Sequence, residues 1–133
     1  MTLRMSDVKW WRVIVLAVLV EIVSFLVVIV VITGYGSVLG FQARGAPDTA
    51  KIALFASQTS GFLNGAALLL LTFGAAAWLA RRPNVSGPVN GLVLGILVGV
   101  LSFYSLSFDI GAIVTALLAV LAGWLGGSMG RRT

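Results

Sequence analysis

Residues 15–31 read "VLAVLVEIVSFLVVIVV", an almost unbroken aliphatic run with one carboxylate, Glu21, inside it. A stretch this apolar extends from Trp10 to Thr33 when its flanks are included. It is long enough for a spanning helix, which takes about 20 residues. "KWWR" at its start places Trp10 and Trp11 between cations, the pattern of a membrane-interface anchor. The run is too long for a signal-peptide core and "ITGYGSVLG" offers no small-residue cleavage site, so a retained helix is expected.

The rest of the chain fits that environment. Hydrophobic residues make up 59% of the 133 residues and charged ones only 10%, with a mean hydropathy of +1.09. Soluble domains carry about 25% charged residues, so the expected solvent is lipid. Three further apolar segments follow, at about 50–80, 88–105 and 109–127, and a Gly-rich outer loop is expected at 34–49. Pro88 suits a first helical turn, and Ser107 or Asp109 can cap the last helix. The expected fold is an all-α bundle of four transmembrane helices forming one domain.

Orientation follows from the Lys and Arg positions. Arg4, Lys9, Arg12, Arg81, Arg82, Arg131 and Arg132 fall on one side; Arg44 and Lys51 fall on the other. The positive-inside rule then puts both termini in the cytoplasm of a cell-membrane protein. The net charge of +5 is spread over segment ends, which points to lipid headgroups and not to a nucleic-acid partner.

The chain has no Cys and no His. That excludes disulfides, thiolate or His metal sites, the usual haem ligand, and Ser-His or Cys-His catalytic pairs. No metal and no cofactor is expected. An enzyme is not expected either, because Glu21 is the one ionisable residue deep in the apolar segments and paired acid–base work needs two.

Three patterns carry the candidate sites. "GLVLGILVG" spaces Gly91, Gly95 and Gly99 four apart on one helix face, and Gly123 with Gly127, and Gly126 with Gly130, repeat the spacing in the fourth segment. These glycines serve packing, either within the 88–127 hairpin or between copies in a homo-oligomer. In the second segment Ser57, Ser60, Gly61, Asn64, Leu68, Thr72 and Ala76 form one stripe with Gln58 beside it. That stripe is either interhelical polar glue or the lining of a wet cavity. "TGYGS" at 33–37 lacks the context of a potassium filter and reads as a helix exit.

The third pattern is Glu21 itself. Counted from Val13 it lies about 12 Å into the hydrocarbon, where an acidic residue costs about 2.5–3.5 kcal/mol by insertion scales. Its own helix offers one small-residue face, Ala17, Glu21 and Ser24, and Thr72 reaches a similar depth from the second helix. Thr72 is therefore the expected partner. Glu21 either moves ions or, protonated, fixes the register of two helices.

"VLVEIVSF" resembles the first helix of the small multidrug resistance transporters, which implies proton exchange for lipophilic cations at Glu21 in a dimer. "GFLNGAALL" is similar to the asparagine-bearing second helix of the fluoride-channel family. Across most of the chain, "WWRVIVL", "WLARR" and "VNGLVLGILVG" resemble small bacterial four-helix membrane proteins with no assigned function. That likeness implies the architecture and no activity. The expectation is thus a non-enzymatic structural or accessory membrane protein, with a small Glu21-dependent transporter or channel as the alternative. Its partners would be the bilayer and a second copy or another membrane protein.

Overall fold

The computed structural model describes residues 8–105 and 110–130. Those residues form four helices and no strand: α1 (Trp10–Ala43), α2 (Thr49–Ala80), α3 (Gly87–Ser105) and α4 (Ile110–Met129). All four are long and apolar enough to cross a membrane. Large apolar side chains such as Phe25, Val30, Leu70 and Leu117 point outward, as a multi-pass membrane protein requires. Arg4, Ser107, Asp109, Arg131 and Arg132, used above for topology or capping, lie outside the described residues.

α1 departs from the sequence expectation. It does not leave the helix at Thr33; residues 34–43, expected as part of an irregular outer loop, continue it to Ala43. Each interior glycine costs about 1 kcal/mol relative to alanine, so the extension needs support from packing. α2 supplies it. Tyr35 stacks on Phe55 with ring centroids 4.0 Å apart. Ile52 closes over Gly36, where an added Cβ would lie 3.2 Å from its Cδ1.

The connection between the two helices is short and fully capped. Arg44 takes the left-handed conformation at φ 50°. Its N–H donates to the Phe41 carbonyl, and the Gly45 N–H donates to that of Gly40, both at 3.3 Å. This is a Schellman-type stop. Asp48 then caps α2, accepting from the N–H groups of Ala50 (3.1 Å) and Lys51 (3.3 Å).

The most extensive packing in the bundle is between α3 and α4. A Cβ added at Gly91 would collide with the Gly123 carbonyl, and one at Gly123 with the Gly91 carbonyl; Gly87 and Gly127 stand in the same reciprocal relation. At Gly95 it would lie 2.5 Å from the Ala119 carbonyl oxygen, and at Gly99 3.2 Å from the Ala116 Cβ. Gly126 and Gly130 face α2 instead, against the carbonyls of Phe73 and Ala77. The two glycine rows of α4 therefore serve two different neighbours within one chain.

α1 packs on α2 and α3. Val13, Ala17 and Val20 join Leu68, Ala76, Leu79, Leu94, Val98 and Ala119 in a continuous buried cluster. Two polar contacts set its register on α3. The Lys9 N–H donates to Asn90 Oδ1 at 2.8 Å, and Ser102 Oγ donates to Glu21 Oε1 at 2.9 Å. Both pairs are 81 residues apart in sequence. The helices are thus parallel, with contacts about 18 Å apart on each.

Helix lengths are unequal. At 1.5 Å per residue α1 and α2 measure about 51 and 48 Å, while α3 and α4 measure about 29 and 30 Å. Glu21 sits level with Ser102, only three residues before α3 ends. The 19 residues of α1 from Phe25 to Ala43 therefore run up to about 28 Å past α3, paired with the first turns of α2.

Candidate functional site

Glu21 lies at the level where the short α3–α4 hairpin ends. It is half-buried, and its carboxylate meets the hydroxyl of Ser102, a side chain only 1% exposed. The same hydroxyl lies 2.8 Å from the Val98 carbonyl, one helical turn earlier. Thr72, the expected partner, is fully buried but donates to the Leu68 carbonyl of its own helix at 2.7 Å. That bond satisfies the threonine hydroxyl on the preceding turn, and the Glu21 carboxylate meets Ser102 instead. Ser24 behaves likewise: it is fully buried and donates to the Glu21 backbone carbonyl at 2.9 Å.

Toward α2, Glu21 lines a recess of about 330 Å³ with Ile22, Phe25, Leu26 and Asn64. Glu21 and Asn64, both singled out in the sequence, are thus brought together. Gln58 is not; it is exposed farther up α2, as is Ser57, whose hydroxyl returns to the Leu54 carbonyl. The polar stripe of α2 divides at this point. Leu68, Thr72 and Ala76 are buried packing positions, while the part before Asn64 is open.

Two residues that matter were not anticipated, Asn90 and Ser102. Asn90 is fully buried, accepts from the Lys9 N–H and donates through Nδ2 to the Ser86 carbonyl at 2.9 Å. A helix start leaves N–H groups without intrahelical acceptors. Asn90 fills that need for α1 from a neighbouring helix. The sequence did hold a signal: before the closing Tyr104 and Ser105, Asn90 and Ser102 are the only polar side chains in α3.

At the other end of the site's helices lies an aromatic and cationic rim. Trp10 and Trp11 begin α1, Trp78 and Trp124 lie near the ends of α2 and α4, and all four are exposed by 46% or more. Arg81 and Arg82 are exposed beside them, with the Arg82 guanidinium 4.4 Å from the Trp78 ring centroid. All four tryptophans of the chain sit at this end.

Chemically the recess offers one carboxyl and one amide among apolar walls, and the carboxyl also accepts from the Ser102 hydroxyl. It can hold helices in register, or bind a cation or a hydrogen-bond donor arriving from the lipid. No known protein family matches the chain, and neither curated proteins nor solved structures show significant similarity to it.

Proposed function

We propose that this chain is a non-enzymatic, structural or accessory protein of the cell membrane, with both termini in the cytoplasm. Its α3–α4 glycine zipper forms the rigid part, and Glu21 latches α1 to α3. The observation that supports this reading is the shared register of two partly buried contacts, Lys9–Asn90 and Glu21–Ser102. A carboxylate engaged with a buried hydroxyl at a helix–helix seam serves packing first.

Orientation rests on the charges: Lys9, Arg12, Arg81 and Arg82 gather at the tryptophan-rich end, and Arg44 and Lys51 at the tip of the α1–α2 hairpin. The overhanging hairpin exposes Phe25, Val30, Phe41 and Leu54 beyond the end of α3. A second copy or another membrane protein is the partner such a face suits.

One observation favours the alternative, a small proton- or cation-linked transporter: Glu21 and Asn64 share one recess. Flux assays in liposomes separate the readings. Wild type and Glu21→Gln are both expected to match protein-free liposomes in proton and monovalent-cation flux from pH 5.5 to 8.5. Wild-type flux that Glu21→Gln abolishes establishes the transporter reading instead.

A further inference from the structure

Between α1 and α2, starting at the tryptophan-rich end, lie two adjoining recesses of about 380 Å³ each, which share Leu16, Leu19 and Trp78. Trp11, Arg12 and Arg82 form the mouth of the first. The second continues along Val20, Val23, Leu71 and Gly74. From Arg12 to Val23 the groove runs about 17 Å, close to the depth of one leaflet of a hydrocarbon core of about 30 Å.

The groove has a sequence cause. Gly74 removes a side chain from its wall, and a Cβ built there meets nothing within 4 Å. The mouth has a charge to match one end of a lipid. Arg82 is held over the Trp78 ring, Arg12 faces the same recess, and no acidic residue lines either recess. Guanidinium groups pair with phosphate oxygens through parallel hydrogen bonds, and indoles favour the headgroup level.

We propose that this groove binds one anionic glycerophospholipid, its phosphate between Arg12 and Arg82 and one acyl chain lying along Gly74. Bulk lipid needs neither the convergence of two guanidiniums nor a channel of leaflet depth. A basic mouth above an apolar groove between helices meets both ends of one such molecule. The site is separate from the Glu21 recess, and the function proposed above can fail without affecting it.

Native mass spectrometry of the detergent-purified chain, titrated with phosphatidylglycerol or with phosphatidylcholine of identical acyl chains, tests this. Phosphatidylglycerol is expected to be retained about tenfold better, the scale of one to two basic-residue contacts. R12Q/R82Q should erase the preference, and G74L should lower retention of phosphatidylglycerol several-fold with helical content unchanged. R44Q, a charge removed at the opposite tip, should change nothing. Equal retention of the two lipids by wild type overturns the proposal, as does wild-type behaviour of R12Q/R82Q or an equal loss in R44Q. Both arginines of the mouth are exposed, so that variant remains decisive even where G74L fails to fold.

Discussion

Gly123→Val is expected to force α3 and α4 apart and to lower bundle stability by more than about 3 kcal/mol, beyond the usual cost of overpacking. The reason is what the new side chain would meet. A Cβ at this position collides with the Gly91 carbonyl and lies 3.0 Å from the Gly95 nitrogen, and both are backbone atoms that no rotamer change can move. Relief requires shifting a whole helix, and that shift would also break the contacts of Gly87, Gly95 and Gly127 along the same seam. Chemical or thermal unfolding in bicelles measures the loss.

Glycines outside the seams provide the opposite outcome. A Cβ at Gly34 meets nothing within 4 Å, and the residue is interior to α1. Gly34→Ala should therefore stabilise the protein by about 0.5–1 kcal/mol. That gain depends on α1 being helical beyond Thr33; an irregular loop there would yield none.

The second large effect is expected at Asn90. Leucine keeps the branched shape of asparagine but has no polar atoms, so Asn90→Leu removes the acceptor of the Lys9 N–H, while the Ser86 carbonyl keeps the backbone N–H of residue 90. Leaving that N–H without its acceptor costs about 1–3 kcal/mol. Because that N–H lies at the start of α1, the damage should be concentrated there. Hydrogen exchange should accelerate over Lys9 to Val13 and change little across the α3–α4 seam. A uniform change over all four helices would show that Asn90 does not act as the cap of α1.

The number and order of the helices were legible in the sequence because apolar runs of spanning length are separated by Arg, Pro and Gly clusters. The glycine rows were legible too, since spacing by four fixes a face whatever the neighbour. Residues 34–43 depart from the sequence expectation. Glycine there looked like an exit signal, yet the packing of Ile52 and Phe55 outweighs propensity. The depth of Glu21 could be counted along its own helix, but its partner could not. Thr72 and Ser102 both lie within reach of that depth, and the choice depends on the parallel register of α1 and α3. Asn90 sets that register through a contact 81 residues apart in sequence, which no local pattern reveals.

The claim at the centre of this structure is that Glu21 is a latch between α1 and α3. A double-mutant cycle of Glu21→Leu and Ser102→Ala, with unfolding free energies measured in bicelles, tests it most directly. Interhelical hydrogen bonds in membranes couple by about 0.6 kcal/mol on average and about 1.7 at most. The burial of Ser102 places the expected coupling in the upper part of that range, about 1–1.7 kcal/mol. Costs of the two single changes that simply add, within about 0.3 kcal/mol, would contradict the latch.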